Sequence, residues 1–277
     1  MRFSAFILIG LFYVNISFSQ SYLEEQYDYA KNLLEKEEYF DAVTELKRLI
    51  YFDTTGSYKY AAYMMMGTAY KEGGKYSEAV EAFINAEINS GSTDKLFSAK
   101  VEKIKTNILR RAINSADNQL REIESEKSFS NRADEIQYWR GWLYIFNDEW
   151  NKASEVFSSV DSAKYLSNFC SEVDKQKYSV TFAKTISYFI PGAGQFYTGN
   201  YISGAMSLAY NLLAGYFTVN SFVEDRVFDG VITANFLWLR FYNGNIQNAE
   251  NFAIKKNLEI TNLALEYLQN NYEGSKP

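Results

Sequence analysis

The side chains that most often carry chemistry are scarce in this chain. It has no histidine and one cysteine, Cys170, so it lacks the residues of most metal sites, of histidine-based catalytic triads and of an intrachain disulfide. Cys170 stands in a helical run with apolar spacing, which favours a packing role. Enzyme chemistry would therefore depend on carboxylates, lysines or tyrosines.

Most clustered acids share helix faces with lysine and arginine, which is typical of solvated surface: Glu24, Glu25, Glu37, Glu38, Glu122, Glu124 and Glu126. Asp229 differs because it falls within an apolar segment, where an acid is a functional candidate. Its place near the end of that segment favours a loop residue instead. The sequence thus predicts no enzyme activity, no cofactor and no metal site.

Composition bounds the class of protein. The 277 residues suffice for one or two domains, and 22% charged with 47% hydrophobic residues indicates a folded chain. The net charge of −6 comes without a basic stripe, so no nucleic-acid partner is predicted. Only two prolines occur, as in a largely helical chain.

Residues 60–86 carry small and aromatic side chains at helical spacing: Gly67, Tyr70, Tyr76, Ala79, Phe83 and Ala86. Gly73 and Gly74 break the run into two helices. The small residues let these helices approach closely, and the aromatic residues fill the seam. Because such a pair cannot bury its apolar face alone, the pattern predicts neighbours of the same kind.

Neighbouring copies are marked by alanines at positions 42, 79 and 153, which are steps of 37 and twice 37 residues. The missing copy should centre on Ala116, where Ile104 and Asn107 replace the small residue and the aromatic. Eight helices are predicted between residues 22 and 160, and a capping helix is predicted over 162–177.

This pattern resembles the tetratricopeptide repeat family over residues 21–177, although the period of that family is close to 34 residues. The usual proline after the second helix is absent, and Thr54 and Gly91 stand in its place. The resemblance implies a solenoid in which the first helix of each pair lines a groove for a peptide or a partner helix. Carried over to this chain, the groove positions are Tyr27, Lys31, Leu34, Met64, Thr68, Lys71, Tyr138, Trp142 and Ile145.

Tyr138 and Trp142 lie one helical turn apart and would form an aromatic platform, so Trp142→Ala is expected to weaken partner capture. The alternative is that the groove residues only pack against the adjoining helix.

Residues 1–19 have the layout of a secretory signal peptide: Arg2, an apolar run over 3–16, and small Ser17 and Ser19 around a cleavage point. An uncleaved anchor helix is the alternative. Either way the chain is expected to be exported, with the repeats in the periplasm of a bacterial cell envelope.

The C-terminal third changes character. Between Tyr178 and Val223 the only charged residue is Lys184, and residues 202–223 would reach roughly 33 Å as a helix, which is enough for a transmembrane helix across the core of a bilayer. A second apolar segment covers 227–242, so we expect a helical hairpin that turns at residues 224–226 and meets the lipid bilayer through residues 179–243. The alternative is a buried helical domain, which Asn211, Asn220 and Asn235 favour.

Two motifs flank this segment. Residues 190–200 contain Pro191, Gly192, Gly194, Gln195, Tyr197 and Gly199, and residues 241–257 contain Gly244 and Asn245. No strand or Gly-Lys-Ser/Thr accompanies the first motif, so it is not a phosphate loop. Together they resemble small bacterial membrane modules of the TM2 and DUF5683 groups, which implies architecture and location rather than a reaction.

The predicted fold is all-α: a tetratricopeptide-type solenoid followed by a membrane-associated helical hairpin. The predicted parts are a signal peptide (1–19), a repeat array with its capping helix (20–177), a membrane module (178–257) and an amphipathic helix with a tail (258–277). The expected function is a membrane-tethered scaffold or adaptor for protein–protein interaction. The alternative is a module for transport or envelope biogenesis that the repeats regulate. The oligomeric state stays open.

Overall fold

The computed structural model describes residues 22–277, which contain helices and no strand. The all-α prediction is therefore confirmed. The predicted signal peptide lies outside the described residues. The described chain divides into two compact units, one formed by residues 22–168 with Ser275–Pro277 and the other by Phe169–Gly274. The division falls inside a helix, whereas the prediction placed it after Lys177.

The first unit is a repeat-like array of helices in which consecutive helices pack on one another. Helix α1 covers residues 22–35. It is followed by α2 (Tyr39–Phe52), α3 (Lys59–Glu72), α4 (Tyr76–Ile88), α5 (Thr93–Leu109), α6 (Ile113–Ser125), α7 (Ala133–Phe146) and α8 (Trp150–Ser158). These bounds agree with the eight predicted helices to within a few residues.

The 37-residue period holds through all four pairs of helices, including the pair whose sequence departs from the pattern. Ala42, Ala79, Ala116 and Ala153 are each fully buried. Two further positions recur at the seam between the helices of each pair. The first helix carries Ala30, Gly67, Ile104 and Gly141 in the four pairs, and the second helix carries Leu46, Phe83, Leu120 and Phe157, in the same order. Where the first helix has glycine the second has phenylalanine, and where it has a larger residue the second has leucine. The total side-chain volume is thus similar in the first, second and fourth pairs, whereas Ile104 with Leu120 gives the third pair a larger seam.

The backbone repeats with the same period. The turn inside each pair contains one residue with positive φ, and these residues are Glu37, Gly74, Arg111 and Asp148. In each turn the following N–H donates to the carbonyl five residues earlier, as from Lys75 to Tyr70 at 2.7 Å. This is the Schellman arrangement that ends many helices. The helical pairs therefore share one turn geometry although their side chains differ.

The first connection between pairs is built on Asp53 rather than on the proline that is usual in the repeat family. The Asp53 side chain is 2% exposed and accepts hydrogen bonds from the N–H groups of Gly56 (2.9 Å), Ser57 (3.2 Å) and Tyr58 (2.7 Å) and from the Thr55 hydroxyl (2.9 Å). Burial raises the pKa of this carboxyl, but the four donors outweigh burial and hold the pKa below its usual value.

Helix α9 (Lys164–Gln176) follows a short 3₁₀ turn, Asp161–Ala163, close to the predicted capping helix. Leu166 and Cys170 are fully buried along it, which confirms the packing role predicted for Cys170. Burial raises the pKa of the Cys170 thiol to about 12.

The second unit continues with α10 (Val180–Phe189), α11 (Ala193–Tyr197), α12 (Tyr201–Val223), α13 (Val227–Thr233), a π-helical turn (Ala234–Trp238) and α14 (Leu239–Asn271). Residues 224–226 join α12 to α13, at the position predicted for the turn. The predicted amphipathic helix is not separate, since α14 runs through it without a break. The buried side of that stretch carries Thr261, Ala264 and Leu268, whereas Leu263 is exposed.

Candidate functional site

Asn245 connects the two predicted sequence motifs of the second unit. Its side chain is 1% exposed. Its Oδ1 accepts the N–H of Gly192 at 2.7 Å, and its Nδ2 donates to the carbonyl of Ser187 at 3.0 Å. One amide side chain at the start of α14 thereby satisfies backbone groups at the end of α10 and in the loop after it.

Gln195 extends this network toward α12. Its Nε2 lies 3.0 Å from the backbone oxygen and 3.1 Å from the Oδ1 of Asn245, and 3.2 Å from the hydroxyl of Ser207. Its Oε1 is buried and has no hydrogen-bond partner among the described residues. Buried polar atoms are usually paired, so an unpaired acceptor here is informative.

Close packing explains the glycines of the first motif. A Cβ on Gly194 would lie 2.3 Å from the carbonyl oxygen of Ala183 and 2.5 Å from the Cβ of Ala249. Gly192 has φ +92°, and a Cβ there would lie 2.3 Å from the carbonyl oxygen of Gly204. Larger residues at either position would push α10, α12 and α14 apart.

The other motif residues have separate roles. Tyr197 is exposed, and its hydroxyl accepts the N–H of Ser179 at 3.1 Å. Gly199 has φ +77° just after α11, where the N–H of Asn200 donates to the carbonyl of Gln195. Pro191 is half-buried, and Gly244 lines a cleft. The structure therefore brings Gly192, Gly194, Gln195 and Asn245 into one network, and it leaves Tyr197 and Gly199 at the edge.

A cleft of about 1130 Å³ lies between the first half of α12 and the start of α14. Amide and hydroxyl side chains line it: Asn200, Ser203, Ser207, Asn211, Asn243, Asn245, Gln247 and Asn248. Tyr201, Tyr210 and Phe241 contribute rings, and the latter two stack at 5.2 Å. Among residues 22–277, Arg240 is the only charged residue that lines the cleft, and no acidic residue of this range does so.

Asn211 is the buried polar residue that α12 contributes to this cleft. It is 4% exposed, and its Nδ2 donates to the carbonyl of Ser207 at 2.8 Å. Its Oδ1 has no hydrogen-bond partner within the described part of the chain. In the sequence, Asn211 indicates only a buried helix, and no pattern connects it with Arg240. The asparagine-rich run at 243–248 was the available signal for a polar site.

The second unit has an inverted polarity, because helix α12 buries polar side chains and exposes apolar ones. Helix α12 buries small and polar residues, namely Gly204, Asn211, Ala214, Thr218 and Ser221. Its exposed surface carries large apolar residues, and Ile202 is 81% exposed. We call the following set the apolar surface: Ile202, Met206, Leu212, Leu213, Phe217, Val219, Val223, Val227, Phe228, Val231, Phe236 and Leu237. Within residues 22–277, no helix combines the length and the apolarity required to cross a bilayer, so the transmembrane helix predicted at residues 202–223 is not found.

The predicted groove residues differ in accessibility. Lys31 is exposed, whereas Tyr27, Leu34, Met64, Thr68 and Tyr138 are partly buried. Trp142 is 2% exposed and Ile145 is fully buried, so these two are packing residues and the predicted aromatic platform is reduced to Tyr138. Trp142→Ala would remove packing and cannot report cleanly on partner capture. The Tyr138 hydroxyl donates to the carbonyl of Ser275 in the C-terminal tail.

Lys71, also predicted in the groove, lies on α3 and forms an ion pair with charged residues of α5. Its Nζ lies 2.9 Å from Glu102, and Lys105 contacts the same carboxylate at 2.6 Å. Burial raises the pKa of Glu102, but the two lysines outweigh burial and hold the pKa below its usual value. A side chain held in this way is less available to a partner than an unpaired lysine would be.

The remaining candidate for acid chemistry is an exposed ion pair. Asp229 lies 3.2 Å from Arg226 in the first turn of α13 and is not a buried acid. The described residues contain no group of acidic or cysteine side chains that could hold a metal ion.

No protein-family model, curated protein or solved structure matches the chain significantly.

Proposed function

We propose that the protein is a membrane-tethered helical-repeat scaffold of the bacterial cell envelope. In this proposal the first unit is a tetratricopeptide-type solenoid that binds a protein or peptide partner. The second unit attaches to lipid through a hairpin formed by α12 and the helical segment that follows it. The export signal predicted at residues 1–19 would place the repeats in the periplasm.

The inverted polarity of the second unit carries the proposal. Water-soluble surfaces rarely expose apolar patches larger than a few hundred Å², and such patches mark contacts with proteins or membranes. Here α12 and α13 expose Ile202, Val223 and Phe228 by three quarters or more, while asparagine, threonine and serine are buried. Small and polar residues between helices with apolar residues outside are the arrangement expected in lipid.

The C-terminal tail supports the partner-binding role of the first unit. Residues Ser275–Pro277 group with the repeats, and the carbonyl of Ser275 is bound by the Tyr138 hydroxyl. Tyr138 is a predicted groove position. A segment without helical structure is thus accommodated through a main-chain contact, which is the kind of contact that a bound peptide would make.

Carbonate extraction of membranes from cells tests the tether. We expect the wild-type protein to stay in the pellet and the Leu213→Glu/Phe217→Glu variant to be released. The matched control is Phe40→Glu, which places a charge at an exposed ring of the first unit. Recovery of wild type in the carbonate supernatant would contradict the tether.

Site-specific photocrosslinking in cells tests the scaffold. Probes at Lys31 and Thr68, two predicted groove positions, should capture the same protein. A probe at the exposed Glu78 on α4 serves as the control and should not capture it. Identical products from all three positions would contradict a groove with a specific partner.

A further inference from the structure

We infer that the cleft between α12 and α14 binds the headgroup of an anionic phospholipid, through one phosphate and the hydroxyls of a glycerol. This inference rests on the proposed attachment to lipid. The cleft is defined by Arg240, by the amides of Asn211, Asn243, Gln247 and Asn248, and by the hydroxyls of Ser203 and Ser207.

The positive charge of the cleft favours binding of an anion. In the described part of the chain Arg240 is the single charged lining residue, and no carboxylate lines the cleft to neutralise it. The first acidic residue that follows Arg240 in the sequence, Glu250, is paired with Lys184 at 2.8 Å. A guanidinium offers paired N–H donors that match phosphate oxygens, and the neighbouring amides add donors to an anion.

The unpaired acceptor at Asn211 selects hydroxyl groups. Its Oδ1 is buried in the cleft wall without a hydrogen-bond partner in residues 22–277. An acceptor in this position requires a donor, and a phosphate has none to offer when it is fully ionised. A headgroup that bears hydroxyls next to its phosphate, as phosphatidylglycerol does, supplies the anion for Arg240 and, once the Asn211 amide turns toward the cleft, a donor for its Oδ1.

The location of the cleft selects a lipid rather than a free phosphate ester. Tyr201, Ile202 and Met206 line the cleft and are also exposed, so its rim is continuous with the apolar surface. A headgroup in the cleft would leave its acyl chains along that surface. The volume of about 1130 Å³ also exceeds what a phosphate ion requires.

Binding of short-chain phosphatidylglycerol to the full-length protein in detergent, measured by calorimetry, tests the inference. Phosphatidylglycerol should bind at least about tenfold more tightly than phosphatidylcholine of the same chain length. Arg240→Gln should lower the affinity for phosphatidylglycerol about tenfold, and Asn211→Ala should lower it by a smaller factor. Arg226→Gln is the matched control, since Arg226 lies beyond the opposite end of α12, and it should bind as wild type.

Three outcomes would overturn the inference: equal affinity for the two lipids, wild-type affinity in Arg240→Gln, or equally tight binding of glycerol phosphate. The last outcome would indicate a site for a soluble phosphate ester. Flotation of the same variants with phosphatidylcholine vesicles separates this inference from the tether. If Arg240→Gln floats but has unchanged lipid preference, only the headgroup site is wrong. If wild type does not float, the tether is wrong.

Discussion

At Gly67 the absence of one methyl group decides how closely two helices approach. A Cβ added there would lie 2.4 Å from the Phe83 ring, and Gly141 stands in the same relation to Phe157. The other two pairs of helices place leucine opposite alanine or isoleucine at this position. In three of the four pairs a small residue on the first helix therefore accompanies a larger one on the second, whereas Ile104 and Leu120 are both large.

Compensation at the seam gives the first prediction. Gly67→Ala should lower the free energy of unfolding by about 1–3 kcal/mol through overpacking, and Phe83→Leu should lower it by about 1 kcal/mol through lost contacts. The double variant reproduces the Ala30–Leu46 pair, so it should be more stable than the sum of the single changes implies. Urea unfolding of all four proteins measures the coupling, and strictly additive effects would show that the pair is not interlocked.

Glu102 gives the second prediction, which concerns pH. Its folded-state pKa is lowered, so it contributes stability that is present above the unfolded value of about 4.3 and is lost as pH falls through the folded value. Glu102→Gln should therefore destabilise the protein at pH 7 and make a smaller difference at pH 3. Thermal melts of wild type and variant at both values measure this, with the exposed Glu78→Gln as control. An equal deficit at both pH values would contradict the assignment.

At the scale of elements, the second unit depends on contacts between segments that are far apart in sequence. Asn245 satisfies Gly192 and Ser187, and Asn257 on the same helix binds both the N–H and the carbonyl of Tyr178, at 2.8 and 2.9 Å. Helix α14 thus holds the beginning and the end of α10 through two asparagines. Such main-chain contacts determine where α10 ends and how the loop after it folds.

The third prediction follows from that arrangement. Asn245→Ala would leave the N–H of Gly192, the carbonyl of Ser187 and the Nε2 of Gln195 with fewer partners in a buried site, at a cost of about 1–3 kcal/mol for each group left unpaired. Hydrogen exchange should become faster at residues 187–195. Asn248→Ala, an exposed change on the same helix, should leave exchange there unaltered. Unchanged protection in Asn245→Ala would show that the network is not what holds the loop.

At the scale of the whole molecule, the two units differ in which side of the helices is polar. The repeats bury alanine, leucine and aromatic residues, whereas α12 buries asparagine, serine and threonine. Under the proposed attachment to lipid, each arrangement would suit its own surroundings, because exposed groups must be compatible with their solvent. The single thiol of the chain, Cys170, is buried and can report when the fold opens.

The fourth prediction uses that thiol. Because burial raises the pKa of Cys170 to about 12 and removes it from solvent, the native protein should not react with a thiol reagent at pH 8. Reaction should appear only with unfolding, at the urea concentration where helicity is lost. A control variant, Ser159→Cys, places a thiol at an exposed position and should react at once. Fast labelling of the native wild-type thiol would contradict the packing of α9.

Much of the fold could be predicted because its signals are local or periodic. Ala42, Ala79 and Ala153 revealed the period, and Gly73-Gly74 marked a turn. Asn107 was misleading: it replaces an aromatic residue of the pattern, yet it is fully buried and satisfied by Gln119 (2.8 Å) and Arg110 (2.8 Å). The degenerate copy was recognisable by spacing and not by residue type, because a buried polar group needs partners that the pattern does not specify.

The candidate site was predictable only in part. Gly192, Gly194, Gln195 and Asn245 were singled out from two motifs, but their direct contact was not. Trp142 was assigned to a groove surface and is buried, because helical spacing places a residue on a face without indicating what covers that face. Asn211 and Arg240 lie 29 positions apart in sequence, and only the packing of α12 on α14 places them in one cleft.

The sequence by itself determined that the chain is helical, where most helices begin and end, and that their pattern recurs every 37 residues, because these properties depend on neighbours within a few turns. The tertiary structure alone decided that Asn245 meets Gly192, that Trp142 is covered, and that α12 exposes its apolar side. Those facts depend on contacts between segments that are dozens of residues apart. The periodicity of the side chains could not predict them, because it shows which residues share a helix face but not which segment packs against that face.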